Sequence, residues 1–201
     1  MTEDQKEWWG YRDTKLFDWS KEQLLKLKDD DKPFNFTMLT VDTHFMDGFV
    51  CDKCLNNKDQ EQYTNVINCS SKQVDEFINW IKQQEFYKDT TIILVGDHLT
   101  MQPDFPDFVD ETESYQKTVY MTIINTDKKA NDGTNRVYST LDMFPTTLYS
   151  IGADIQGDKL GLGTNLFSDK KTLLENYGYN SMKSELERVS KFYNKKFIYG
   201  E

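Results

Sequence analysis

The chain has 201 residues, with 24 Lys and Arg against 34 Asp and Glu for a net charge of −10, and it is 37% hydrophobic and 14% aromatic. That length makes one domain able to bury most of its apolar surface without disulfide staples, and 13 Phe, 11 Tyr and 4 Trp exceed what disordered segments carry. The acid excess excludes DNA and RNA, whose phosphates are bound by clustered Lys and Arg; no apolar run of about 18 residues is there to cross a bilayer, and MTEDQKEWWG has no apolar signal-peptide core.

Between Trp8 and Leu27 the residues Leu16, Phe17, Leu24, Leu25 and Leu27 are spaced among charges, and Ser20 followed by Gln23 is a capping-box pattern, predicting a short amphipathic helix. After the charged turn 28–32 and Pro33, the run Phe34 to Val41 is rich in β-branched and aromatic residues and too short for a helix, which predicts a buried strand. The polar stretch Asp47 to Asn68 predicts a long surface loop, and Ser71 to Gln84 places Val74, Phe77, Ile78 and Ile81 at helical spacing for packing on a sheet. Thr90 to Val95 predicts a second buried strand, the acidic stretch Leu99 to Gln116 with Pro103 and Pro106 a loop, and Thr118 to Asn125 a third strand. Asp142 is a candidate cap for a helix that tolerates Pro145 in its first turn and stops at Gly152, and a last helix is predicted over Ser181 to Tyr193. Strands alternating with helices indicate an α/β domain with a mixed or mainly parallel sheet.

The chain has two histidines, and each follows a predicted strand with an acid close by: Asp42-Thr43-His44 and Gly96-Asp97-His98. Ligands of open α/β sheets bind at the carboxyl ends of strands, so both imidazoles are expected at one edge. Asp97 and His98 offer a carboxylate oxygen and an imidazole nitrogen, a mixed donor set suited to Mn, Zn or Fe, but two ligands do not complete a catalytic site. The alternative is that each histidine simply hydrogen-bonds at a strand end. The acids Asp104, Asp107, Asp110, Glu111 and Glu113 read as a solvated loop, Ser70 and Ser71 as helix caps, Gly161-Leu-Gly163 as a turn, and Arg136 as a residue that could meet an anion but is more simply a surface one. Cys51, Cys54 and Cys69 permit one bridge and leave one thiol; a zinc site lacks its second ligand pair.

Thr40-Val-Asp-Thr-His44, Asp47-Gly48-Phe49, Gly96-Asp-His98, Leu141-Asp-Met-Phe-Pro-Thr146 and Leu160-Gly-Leu-Gly163, after an opening Trp9-Gly10-Tyr-Arg-Asp13 and with Phe77-Ile-x-Trp-Ile81 between, resemble the phosphoglycerol transferase family. The likeness is to periplasmic-glucan phosphoglycerol transferases and, more distantly, lipoteichoic acid synthase, sulfatase-like members of the alkaline phosphatase superfamily. It implies a sulfatase-like α/β fold, a sheet flanked by helices, of which residues 1–201 would be the C-terminal portion. It further implies a threonine nucleophile that attacks phosphatidylglycerol, releases diacylglycerol and passes glycerol phosphate to an envelope polysaccharide or teichoic-acid-type acceptor. A divalent ion, manganese first and magnesium or zinc next, would activate it.

Carried onto this sequence, Asp97 and His98 become metal ligands, His44 a contact to the substrate phosphate, and Cys54 with Cys69 the loop disulfide, leaving Cys51 as a thiol. Met46 departs from the proline that relatives often carry after this histidine, which alters loop stiffness more than chemistry. The nucleophile, a metal-binding glutamate and the membrane helices that hold the catalytic domain on the extracytoplasmic side of the cell membrane are all expected upstream of residue 1, so the chain alone is expected to be inactive. A related sulfatase or phosphodiesterase, and a non-catalytic glycan- or headgroup-binding module, are the other readings.

Overall fold

The computed structural model describes residues 6–7, 10–30, 32–53, 60–103 and 117–201. The chain divides into two compact units, one made of 1–90 with 98–120 and the other of 91–97 with 121–201.

In the first unit, β1 (Lys6–Glu7) pairs antiparallel with β2 (Gly10–Tyr11), and two helices follow, α1 (Asp13–Leu27) and α2 (Gln62–Lys82). Helix α1 starts at Asp13, not at Ser20, which lies buried inside it. A long-range contact fixes that start: the Asp13 carboxylate accepts the backbone N–H of Val41 at 2.7 Å and of Asp42 at 3.3 Å, so the Ser20 and Gln23 pattern falls within a helix already under way. Helix α2 begins well before Ser71 and takes up the last part of the predicted loop, from Gln62 to Asn68, with Ser70 and Ser71 in its interior. Its buried stripe, Tyr63, Val66, Cys69, Gln73, Phe77 and Ile81, keeps helical spacing throughout, but its first half uses polar and sulfur-bearing residues that read as loop. The helices meet where Phe17 packs on Phe77 with ring centroids 5.1 Å apart, and Phe77, Trp80, Phe86 and Phe34 continue the aromatic contact.

The run 34–41 joins no ladder among the described residues. It keeps the side-chain period of a strand, half-buried at Phe34, Phe36, Met38 and Thr40 and exposed at Asn35, Thr37 and Leu39. The alternation is a property of the segment alone, whereas a ladder needs a neighbour.

The second unit contains β3 (Ile92–Val95) and β4 (Met121–Ile124), paired antiparallel from Ile92 with Ile124 to Val95 with Met121. Then come α3 (Met143–Ser150), β5 (Lys159–Leu160) and β6 (Gly163–Thr164), an antiparallel pair closed by the Gly161-Leu162 turn, α4 (Leu173–Leu186) and the short α5 (Lys191–Tyr193). All three ladders among the described residues are antiparallel and two-stranded, so the expected parallel pairing does not occur there.

Asp142 precedes α3 as expected, yet its carboxylate does not cap that helix. It accepts Ser139 N–H at 2.9 Å and, through its other oxygen, Thr164 N–H at 2.7 Å, while Thr146 Oγ1 donates to the Asp142 carbonyl and accepts Leu166 N–H. This buried network seats β6 on α3, and Gly163 is obligatory there because a Cβ would collide with the Leu141 carbonyl. Helix α4 begins earlier than predicted, capped reciprocally by Thr172 and Glu175, and breaks its regular backbone at Gly178 with φ of 74°.

Candidate functional site

His44 sits in a loop closed at both ends by backbone bonds: His44 N–H donates to Val41 at 2.9 Å and Phe49 N–H to Asp42 at 2.7 Å. The Phe45–Met46 peptide is cis, and Asp47 and Gly48 both take the left-handed backbone, with φ of 63° and 61°. A Cβ on Gly48 would lie 2.6 Å from the Asp42 carbonyl and 2.7 Å from a Val66 methyl of α2, so only glycine turns the loop here.

The loop carrying His98 lies against the loop carrying His44. Tyr63 Oη on α2 donates to the Thr43 carbonyl at 3.2 Å and accepts a hydrogen bond from Thr100 Oγ1 at 2.9 Å. Gln102, only 3% exposed, exchanges two bonds with Asp47: its Oε1 accepts Asp47 N–H at 3.0 Å and its Nε2 donates to the Asp47 carboxylate at 2.8 Å. Lys117 Nζ donates to the carbonyls of Thr100 and Gln102. Tyr63, Thr100, Gln102 and Lys117 escape a sequence reading because their function is to join two loops distant in the chain; the clue available was a tyrosine and a glutamine in positions read as loop.

Both imidazoles are oriented in the same way. Nδ1 of His44 meets the Phe45 carbonyl at 2.6 Å and Nδ1 of His98 meets the Leu99 carbonyl at 2.7 Å. A carbonyl only accepts, so each Nδ1 carries the hydrogen, and in a neutral ring Nε2 carries the lone pair. A neutral ring offers a metal ion its Nε2 lone pair, with the backbone carbonyl as the outer support usual for metal-bound histidine. A phosphate oxygen instead requires an Nε2–H, which makes the ring an imidazolium. Asp97 and His98 are both exposed, and the boundary between the two units runs between them. Among the described residues no three His, Cys, Asp or Glu side chains converge as a metal set, so the donor chemistry of Asp97 and His98 suits part of a site and does not complete one.

Behind the His44 loop lies a pair of acids. Asp13 is fully buried and Asp42 is 4% exposed; Asp42 Oδ1 accepts Asp13 N–H at 3.2 Å while Asp13 Oδ1 accepts the two N–H groups already described. Burial pushes the Asp13 carboxyl above its ordinary value, against the lowering by the Val41 and Asp42 N–H groups.

Cys69 is disulfide-bonded, and Cys51 is a buried thiol whose sulfur lies 3.2 Å from that of Cys69. Cys54, its expected partner, lies outside the described residues, as do the acids 104–113.

Arg136 is no anion site. All five of its N–H donors are used: Nε and Nη2 hold Glu175 at 2.8 and 3.1 Å, Nη1 donates to the carbonyls of Leu166 and Ser168, and Nη2 to that of Lys170. The guanidinium holds the Glu175 carboxyl down to about 2, with burial opposing and the Thr172 and Val137 N–H groups assisting.

The family model for sulfatases matches residues 1–153. The chain belongs to the sulfatase family. Its fold class is thereby alkaline phosphatase-like α/β. Among curated relatives, phosphoglycerol transferase I of Salmonella choleraesuis is 30% identical over 166 residues, and phosphoglycerol transferase I of Escherichia coli and of Shigella boydii are each 28% identical over 165 residues. Each alignment covers 80% of this chain and 21% of the relative, so the chain spans about a fifth of the length of the curated relatives it matches. No solved structure matches it. The resemblance drawn from the His44, His98 and Asp142 motifs thus holds at the level of family.

Proposed function

We propose that this sulfatase-family chain supplies the metal-ligand and phosphate-contact part of a phosphoglycerol transferase, acting on the extracytoplasmic side of a cell membrane. The donor is phosphatidylglycerol and the acceptor an envelope glycan or teichoic-acid-type polymer. One observation carries the reading: Tyr63 and the Gln102–Asp47 pair lock together the two loops that bear His44 and His98. In a chain aligned with phosphoglycerol transferases, that gives the two histidines a common purpose.

Asp97 and His98 would hold a divalent ion, manganese for preference, through a carboxylate oxygen and Nε2. When bound, such an ion supplies Lewis-acid stabilisation of charge at phosphoryl oxygens. His44, as an imidazolium with Nδ1–H on the Phe45 carbonyl, presents Nε2–H to a phosphate oxygen and fixes the headgroup. The nucleophilic threonine is assigned to sequence outside residues 1–201, so the chain alone does not turn over. The Cys54–Cys69 bridge would secure the loop ahead of α2.

Manganese and zinc titration by calorimetry tests the ligand pair, with Asp97→Ala and His98→Ala as controls. Glycerol phosphate release from phosphatidylglycerol is measured with this chain alone and within a protein of the relatives' length. Metal affinity that rises in the longer protein and falls with either substitution, together with transfer that His44→Ala depresses, supports the reading. Binding indifferent to both substitutions would move the chain to a non-catalytic binding module. A sulfate ester assay run in parallel addresses the second reading that the family match itself favours: hydrolysis of that ester without glycerol phosphate transfer makes it a sulfatase.

A further inference from the structure

The family match ends at residue 153, and beyond α4 the chain ends in a segment of different character. From Arg188 to Gly200 it carries four cations and no acid, in a chain of net charge −10. Interleaved with those cations are Phe192, Tyr193 and Phe197, which cluster with Phe192 edge-on to Phe197 at 6.4 Å between centroids and Tyr193 tilted against Phe197 at 5.2 Å. Helix α5 runs directly into one π-helical turn, Asn194–Ile198, and this wider winding is what brings residues 192 and 193 over 197.

No side chain of this segment is buried: Phe192 and Phe197 are each 69% exposed and Val189 76%. Among the described residues, the hydrogen bonds made by residues 190–201 close within the segment, from Tyr193 N–H to Ser190 Oγ, Asn194 N–H to Ser190 O, Tyr199 N–H to Asn194 O and Glu201 N–H to Lys195 O. An exposed aromatic cluster of this kind marks a surface that something covers. Charge decides what. A hydrophobic core or a neutral groove would leave Lys191, Lys195 and Lys196 unmatched beside the rings, whereas an anionic bilayer surface accepts rings at the headgroup level and ammonium groups among the phosphates. The segment is far too short to span a bilayer, and no described helix is long and apolar enough to do so, which leaves a position in the interface plane.

We propose that residues 188–199 form an interfacial docking segment for an anionic lipid surface. The rings enter the headgroup layer and the lysines pair with lipid phosphates. The choice of phosphatidylglycerol as probe rests on the transferase reading; docking itself is read without turnover.

The test is flotation of the whole chain with phosphatidylcholine vesicles, plain or doped with phosphatidylglycerol or phosphatidylserine. Association is expected with both anionic vesicles and not with plain ones, and it should fall between about 0.1 M and about 1 M salt, as the Debye length shrinks from about 10 to about 3 Å. The Lys191→Glu/Lys195→Glu/Lys196→Glu variant should lose about a hundredfold or more in partitioning, and Phe192→Ser/Phe197→Ser about tenfold or more. All five side chains are exposed, so the melting curves of both variants should match the parent, and backbone amides of 188–199 should gain exchange protection on vesicles. Equal association with plain vesicles, no association at all, or an unaltered triple variant would overturn the proposal. So would sedimentation showing that these substitutions abolish self-association instead, since a second copy would then be the occupant. Loss of docking with headgroup transfer intact in a protein of the relatives' length sinks this inference alone, while docking without transfer in that longer protein leaves it standing and counts against the transferase.

Discussion

Asp13 and Glu175 are both acids in the first turn of a helix, α1 and α4 respectively, and both hold a distant stretch of backbone against that turn. Asp13 binds the N–H groups of Val41 and Asp42; Glu175 binds that of Val137. Their surroundings then diverge. Glu175 meets the Arg136 guanidinium in a two-point ion pair, whereas Asp13 lies beside a second buried acid, with one oxygen that has no partner among the described residues. One local signal, an acid at a helix N-terminus, thus serves two kinds of anchor. In the second unit it forms a saturated charge clamp. In the first, behind the His44 loop, it leaves a carboxyl whose charge is opposed by burial.

The largest break in that comparison comes from Arg136→Met. It strands the Glu175 carboxylate and the carbonyls of Leu166, Ser168 and Lys170, and should cost about 3 kcal/mol, the scale of a partly buried ion pair that loses one member. Hydrogen exchange should localise the loss to 136–175, and adding Glu175→Gln should recover part of it. A loss spread evenly over both units would mean that the clamp is not local to the second. Next is Gly48→Ala, which forces a Cβ onto a left-handed backbone and against the Asp42 carbonyl and Val66; about 2 kcal/mol is expected, seen as faster exchange over 42–49 with 136–175 unmoved.

How much of this was legible beforehand follows from the range of each interaction. Strands β3 and β4 and the turn at Gly161-Leu162 form where expected, because β-branched residue types and turn chemistry are local, but β3 is half-buried where a buried strand is expected, since burial depends on what packs on it. The candidate residues His44, Asp97 and His98 stood out as acid and imidazole after strand patterns. What joins the two loops did not, since Tyr63 and Gln102 act over 20 to 55 residues of sequence. The start of α2 at Gln62 differs from the expected Ser71 for the same kind of reason: Tyr63 and Asn65 are buried by what they contact, and the polar stretch around them alone suggests a loop. Arg136 read as a surface cation because its five acceptors come from a later segment. The run 34–41 shows the opposite limit, with a strand's pattern and no strand partner.

A smaller effect isolates the loop lock. Tyr63→Phe keeps the ring of α2 in place and deletes the bonds to Thr43 and Thr100, for an expected cost of about 1 kcal/mol. Exchange should quicken at 98–102 as well as near Thr43. If only one of the two loops responds, Gln102 and Lys117 are the lock and the tyrosine is an accessory to it.

The smallest effect has the clearest sign. Glu175 is lowered from an ordinary 4.5 to about 2 in the folded chain, so its contribution is fully present above pH 4.5 and is lost as the pH falls from there to about 2. Asp13 is raised above its ordinary 3.8, so the folded state binds that proton more tightly than the unfolded chain does. Its contribution is fully present below 3.8 and is lost as the pH rises through the folded value. Asp13→Asn keeps an oxygen for the Val41 and Asp42 N–H groups and removes the buried charge. Denaturant titrations across the acid range should therefore show the parent's first unit losing stability as the pH climbs above 3.8 and the variant's holding level. At neutral pH the variant should be equal to the parent or up to about 1 kcal/mol more stable, because an amide buried at this position has no ionised form to desolvate. A variant that is markedly less stable at neutral pH would mean that the Asp13 carboxylate is needed ionised. The two acids behind the His44 loop would then be a charge-bearing pair, and the contrast with Glu175 would rest on the partner alone.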